Sequence, residues 1–116
     1  MRFEEFSFGC LKVDGKVLDY DVVIDRGTIR KRKKRASKRF RDKYGHTPLS
    51  VEEDIPWKCR HLVVGTGVNG ALSVMDEVKC EAERRNVSLL ILPTPKAIEL
   101  LKDDMKETNA VLHVTC

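Results

Sequence analysis

Short apolar segments separated by turn signals make up the first third of the chain. Phe6–Val13 has a strand-like composition, Asp14-Gly15 is a strong hairpin signal, and Val17–Ile24 supplies the return strand. A second turn at 25–27 leads into a third strand that begins at Thr28. The pattern therefore predicts an N-terminal β-meander.

The second half alternates between strand-like and helix-like hydrophobic spacing. His61–Val64 and Val87–Leu92 are apolar runs, the second of the kind buried on both faces, and Ala110–Val114 predicts a last strand. Between the first two, Asn69–Arg85 carries apolar residues at helical spacing. With a helix before the last strand, the order is βαβαβ, which calls for right-handed crossovers and a mostly parallel sheet covered by helices.

Two helix starts are marked by local signals. Thr94 and Pro95 have the residue types of an N-cap and a first helical position. The apolar stripe of that helix is Ala97, Ile98, Leu101 and Met105. Ser50 and Glu53 form a capping-box signature, which predicts a short helix ending near Pro56.

Charge changes this picture more than composition does. The chain has 116 residues, 41% apolar and 34% charged, which suits one α/β domain over 1–116, and its apolar runs are too short to cross a membrane. The net charge of +4 is uneven, because Arg30–Tyr44 holds ten Lys or Arg and one Asp, a local +9. We call Arg30–Tyr44 the basic segment; the rest of the chain sums to −5.

The basic segment has three interpretations. It can dock a protein partner, it can bind nucleic acid with Phe40 and Tyr44 stacking on bases, or it can be solvated and paired with acids at 52–54. The sequence favours a protein partner over nucleic acid, since it lacks the aromatic-rich strand signatures of an RNA-recognition sheet. The candidate contact residues are Lys31, Lys33, Lys34, Arg35, Lys38, Arg39 and Arg41.

A glycine-rich turn offers a second candidate site. Gly65–Gly70 matches Gly-x-Gly-x-x-Gly after a predicted strand and before a predicted helix, where backbone N–H groups can meet a phosphate. The acidic residue that a dinucleotide site needs about twenty positions later is missing. The alternatives are therefore a phosphate-bearing ligand, or glycines that serve a tight turn and close packing. The candidate ligand residues are Gly65, Gly67, Asn69, Gly70 and Thr94.

The reactive residues outside these two candidate sites predict no catalytic residue, metal site or cofactor. The four cysteines lack a Cys-x-x-Cys pair, so we expect reduced thiols, at least two of them buried. The acids at 52–54 and 103–104 resemble solvated helix faces. The first six residues lack a secretory pattern, and we expect a cytoplasmic protein.

Several motifs together resemble a known small α/β family. They are Gly65–Leu72, Leu92–Ile98, His113–Cys116, the Phe8-Gly9 element and the basic stretch after the third strand. The chain resembles the MTH-type domain of unknown function, found in archaea and bacteria and in eukaryotic adipogenesis-associated and mitochondrial complex I assembly proteins. The resemblance implies a three-layer α/β domain with a mixed central sheet and no assigned reaction or cofactor.

The sequence departs from that family at one corner. Some members have Cys after Leu-Pro-Thr, where this chain has Pro95, and many have Tyr-Asn in the next helix, where it has Leu101 and Lys102. These differences make an enzymatic activity a weaker hypothesis, and the question of an activity stays open.

The leading hypothesis is therefore a non-enzymatic protein-interaction or assembly factor. Its contact surface combines the basic segment with the crevice at the carboxyl ends of the parallel strands. A small-ligand binder or enzyme at Gly65–Gly70 and nucleic-acid binding through Arg30–Tyr44 are the alternatives. The sequence predicts neither the identity of the partner nor an oligomeric state.

Overall fold

The strands form two sheets in a computed structural model, which describes residues 1–103 and 106–116. The first sheet is antiparallel in the order β1-β2-β3: β1 is Phe3–Ser7, β2 is Cys10–Val13 and β3 is Lys16–Leu18. The second has the order β5-β4-β8-β6-β7: β4 is Val22–Asp25, β5 is Thr28–Lys31, β6 is His61–Thr66, β7 is Ser88–Leu92 and β8 is Thr108–His113.

Helices connect the strands of the second sheet. A 3₁₀-helix, Arg35–Phe40, precedes α1 (Arg41–Tyr44), and α2 (Asp76–Arg84) and α3 (Thr94–Lys102) lie between the parallel strands. β6 is parallel to β7 and β8, whereas β4 is antiparallel to β5 and β8. The predicted α/β fold with a mixed sheet and a βαβαβ second half is confirmed. Within the described residues, the helices are too short and too polar to cross a bilayer.

Alternating residues of the central strands divide between two hydrophobic cores. Val63, Ala110 and Leu112 face the three-stranded sheet and α3, whereas Val64 and Val111 face the side of α2. The central sheet is therefore the middle of three layers, as the resemblance implies.

The N-terminal meander divides between the two sheets, a detail that the sequence did not predict. The predicted strand Phe6–Val13 is broken at Gly9, whose φ of +79° forms a turn between β1 and β2. The predicted return strand breaks between Leu18 and Val22. The carboxylate of Asp21 is buried there and accepts a hydrogen bond from the Val114 N–H, which fixes the point where the chain changes sheets.

Three expectations about helices need correction. The capping-box helix at 50–56 does not form, because the carboxylate of Glu53 binds Arg32 instead of a helix end. The helix expected from Asn69 begins at Asp76. The last helix includes Thr94 as its first residue, and its hydroxyl makes no capping bond. Met105 and Asp104 lie outside the described residues.

Two expectations about burial are wrong. β7 is an edge strand, and Ile91 on it is 38% exposed, so this apolar run is not covered on both faces. All four cysteines are free thiols as expected, but none is buried: Cys80 is exposed and the others are half-buried.

Candidate functional site

The basic segment is anchored by one buried arginine. Arg32 follows β5 and is only 5% exposed. Its Nε and Nη2 donate to Glu53 at 2.7 and 2.8 Å, its Nη1 donates to Asp21 Oδ2 at 2.9 Å, and Nη2 also donates to the Pro48 carbonyl at 3.0 Å. A buried charge requires such partners. The network therefore fastens the start of the segment to Asp21, just before β4, and to the loop before β6.

A serine gives the segment a second attachment. The buried Ser37 hydroxyl, in the 3₁₀-helix, donates to Glu53 Oε2 at 2.5 Å. Its oxygen also lies 2.6 Å from the Ser50 hydroxyl, which is left to donate to it. The same carboxylate therefore holds both ends of the turn between β5 and the 3₁₀-helix.

Each acid at 52–54 pairs with one arginine of the segment. The pairs are Arg32–Glu53, Arg30–Asp54 and Arg39–Glu52. The predicted internal pairing is thus confirmed, but it is partial. Among the described residues, seven of the ten cations have no carboxylate within 4 Å: Lys31, Lys33, Lys34, Arg35, Lys38, Arg41 and Lys43.

A histidine at the end of β8 is held by the same network. His113 Nδ1 lies 2.8 Å from Asp21 Oδ2, and its Nε2 lies 3.1 Å from the Thr115 hydroxyl. Burial raises the pKa of Asp21, but the hydrogen bond and charge of His113, the Val114 N–H and Arg32 together lower the pKa to about 2. An ionised carboxylate only accepts, so His113 Nδ1 carries a hydrogen and donates a hydrogen bond to Asp21.

A pocket opens between the basic segment and this end of β8. Its volume is about 290 Å³. Its lining residues are Arg32, Lys34, Lys38, Arg41, His46, Thr47, His113 and Thr115. Four of them are Lys or Arg and none is an acid, so the pocket is strongly positive. We call it the cationic pocket.

A larger pocket of about 430 Å³ lies at the opposite end of β8. Its lining mixes apolar side chains with Arg26, Lys58 and Glu107, so charges of both signs are present. The buried amide of Asn109 donates to the Pro56 carbonyl, and its oxygen accepts from the Arg26 N–H. The Asn109 side chain is therefore already satisfied by the protein itself, and we place the candidate site at the cationic pocket.

The backbone of the glycine turn is occupied by the C-terminal residues of the chain. The Val68 N–H donates to the Thr115 carbonyl at 2.8 Å, and the N–H groups of Asn69 and Ala71 donate to the Cys116 carbonyl at 3.0 and 3.1 Å. A phosphate would have to displace these bonds. The helix that follows the turn in sequence, α2, begins only at Asp76, so its N-terminus does not lie at the turn. The ligand role of the turn stays a prediction.

The predicted ligand residues Gly65, Gly67 and Thr94 pack against the end of β8. A Cβ on Gly65 would lie 2.8 Å from the Thr94 hydroxyl. The fully buried Thr94 hydroxyl accepts from the Gly67 N–H at 2.8 Å and donates to the His113 carbonyl at 2.6 Å. Asn69 and Gly70, by contrast, are exposed. These contacts fasten the turn and α3 to the strand end that carries His113.

Sequence reasoning missed how these parts combine. Arg32 stands among nine similar cations, and nothing local distinguishes the one that is buried. The His-x-Thr spacing of His113 and Thr115 was a usable signal, because residues two apart on a strand face the same side. The approach of residues 34–47 to this strand end depends on tertiary structure alone.

The fold and sequence are similar to those of solved structures. The conserved hypothetical protein PH1505 from Pyrococcus horikoshii OT3 is 34% identical with a TM-score of 0.82, covering 100% of both chains. MT938 is 25% identical with a TM-score of 0.74, covering 98% of this chain and 97% of that one. An outer membrane protein from Bartonella henselae is 14% identical with a TM-score of 0.65, covering 98% and 94%, a likeness of fold alone.

No family model matches the chain, and no curated protein matches it. The expected MTH-type family therefore stays a prediction.

Proposed function

We propose that this chain, which belongs to the family of the conserved hypothetical protein PH1505, is a non-enzymatic protein-interaction module. In this proposal, an acidic segment of a protein partner docks on the basic segment. PH1505 is itself a hypothetical protein, so family membership brings no activity with it. The support comes from the arrangement of charge.

The observation that carries the proposal is an anchored segment with an excess of unpaired cations. Arg32 and Ser37 fix the segment to the core, while seven exposed cations have no acid within 4 Å among the described residues. Two like charges 4 Å apart repel by about 1 kcal/mol in water and by more near a protein surface. An acidic partner relieves this repulsion and gains electrostatically steered association.

The aromatic residues of the segment favour a protein partner over nucleic acid. Single-stranded nucleic acid is held by bases that stack on free aromatic rings. The Arg39 guanidinium lies 4.7 Å from the centre of the Phe40 ring, and Lys43 Nζ lies 5.8 Å from that of Tyr44. Cations of the segment itself therefore already cover one face of each ring.

Thr115, His113 and Asp21 place a hydroxyl, an imidazole and a carboxylate in series. We assign this series a positioning role. Such a series can activate a nucleophile if the imidazole takes up the hydroxyl proton. Here the Asp21 carboxylate also accepts a hydrogen bond from the buried Arg32 guanidinium at 2.9 Å, so it is shared between the imidazole and the anchor of the segment. The series instead holds the back wall of the pocket in place.

The direct test is binding of a labelled polyglutamate peptide, measured by fluorescence anisotropy. Reversing Lys33, Lys34 and Arg35 to Glu is expected to weaken binding by at least about tenfold, because three unpaired cations become anions. The matched control reverses Lys16, Lys58 and Lys96, three exposed lysines outside the segment, and changes the net charge equally. Its affinity should stay close to that of the wild type.

Two results would overturn the proposal. Equal weakening by both triple variants would mean that net charge alone attracts the peptide. Tighter binding of oligothymidylate than of the peptide, with a steep salt dependence, would assign the segment to nucleic acid.

A further inference from the structure

The cationic pocket differs from the outer face of the basic segment in the groups that it brings together. Lys34, Lys38 and Arg41 reach it from the segment. Thr47 and Thr115 add hydroxyl groups from two other parts of the chain. Ammonium, guanidinium and hydroxyl groups are all hydrogen-bond donors, and cations paired with an anion make the stronger hydrogen bonds.

The back wall of the pocket is held by a chain of hydrogen bonds. The His113 side chain is 14% exposed and is held by Asp21, which is held in turn by Arg32 and the Val114 N–H. The carboxylates of Asp21 and Glu53 lie near the wall, but both accept hydrogen bonds from Arg32 and neither lines the pocket. An anion entering the pocket therefore meets several cations without a facing carboxylate in the lining.

We propose that the cationic pocket binds a phosphate monoester group. Such a group carries a charge of about −1.5 to −2 near neutral pH and three acceptor oxygens, which match several converging cations better than a carboxylate does. The volume of about 290 Å³ accepts the phosphate with a small attached group. The inference rests on the proposed function, because the same segment supplies the cations.

The group can come from a free phosphorylated metabolite or from a phosphorylated side chain of the docked partner. The chemistry is the same in both cases. The two sources are separated by comparing free O-phosphoserine with phosphoserine inside a peptide of glycines. A tighter complex with the peptide indicates a partner protein, and equal affinity indicates a small molecule; both support the pocket.

The test measures inorganic phosphate, O-phosphoserine and acetate by isothermal titration calorimetry. The pocket variant carries Lys38→Gln and Arg41→Gln. The control carries Lys33→Gln and Arg35→Gln, which remove the same charge from residues outside the pocket lining. We expect the pocket variant to lose at least about tenfold in affinity for both phosphates and the control to lose clearly less. All four side chains are exposed, so both variants should fold.

A nuclear magnetic resonance readout adds a local check. The His113 ring nitrogens should shift on addition of phosphate in the wild type, because Nε2 and the Thr115 hydroxyl lie at the back of the pocket. Acetate at the same concentration should shift them much less.

Failure of this inference is distinguishable from failure of the proposed function. Acetate binding as tight as phosphate binding, or equal losses in the two double variants, would overturn the phosphate pocket. If the polyglutamate peptide still binds in that case, the docking function stands. If phosphate binds through Lys38 and Arg41 but the peptide does not bind, the pocket stands and the docking function falls.

Discussion

One arginine of the basic segment has a different role from the others. Arg32 is buried between Asp21 and Glu53, whereas Arg39, seven residues later, pairs with Glu52 at the surface and its side chain is 65% exposed. The sequence could not distinguish them, because both are cations with an acid within reach. Burial decides the difference, and burial of Arg32 depends on where β4 and the loop at 48–53 lie.

The two arginines should differ sharply in their contribution to stability. Arg32→Met removes the cation that two buried carboxylates share and is expected to lower the free energy of unfolding by about 3–5 kcal/mol. Arg39→Met removes an exposed pair and should lower it by no more than about 1 kcal/mol. Urea denaturation of both variants measures this. Similar losses would show that Arg32 is not the anchor.

The stability should also depend on pH through Asp21. Its pKa is lowered from 3.8 to about 2 in the folded protein, so the ionised form stabilises the fold fully above about pH 4 and this contribution is lost as the pH falls toward 2. The contribution is about 2 kcal/mol.

Asp21→Asn isolates this contribution from the other acids. The gap in unfolding free energy between the wild type and Asp21→Asn should shrink by most of that amount as the pH falls from 6 toward 2. A gap that stays constant over this range would contradict the ionised Asp21 as a stabilising group.

At the scale of the elements, the glycine turn serves packing. The sequence correctly placed a strand before Gly65 and a helix after it, because hydrophobic periodicity predicts elements well. It placed the helix start too early, since the N–H groups of Val68, Asn69 and Ala71 bind carbonyls of Thr115 and Cys116, more than forty residues away. The capping-box signature at Ser50 failed for a similar reason, because Glu53 found a stronger partner in Arg32.

Gly67 is the position in the turn where an added side chain should disturb the packing most. Its φ is +104°, and a Cβ there would lie 2.3 Å from the Cys116 carbonyl carbon. Gly67→Ala is expected to destabilise the protein by about 2–3 kcal/mol or more, from backbone strain and the clash together.

Gly27→Ala is the matched control for backbone strain. Gly27 also has a positive φ, of +82°, but open space around its Cβ position. It should cost only about 1 kcal/mol, since strain acts alone. Equal melting temperatures for the two variants would contradict the packing role of the turn.

At the scale of the whole molecule, the uneven charge is organised around one end of β8. The sequence showed the +9 segment and its possible pairing with residues 52–54, and these pairs form. It did not show that residues 34–47 approach His113 and Thr115, because that proximity follows from the pairing of β4 with β8. The result is an anchored cationic surface with a pocket at its base.

The most direct test of docking on the basic segment is a titration of the ¹⁵N-labelled protein with polyglutamate peptide, followed by nuclear magnetic resonance. If acidic peptides dock on the basic segment, amide shifts concentrate at residues 33–41, extend to His113–Thr115 and become smaller as salt is added. Shifts that concentrate at the opposite end of β8, around Thr108 and Asn109, or the absence of shifts at low salt, would contradict this docking.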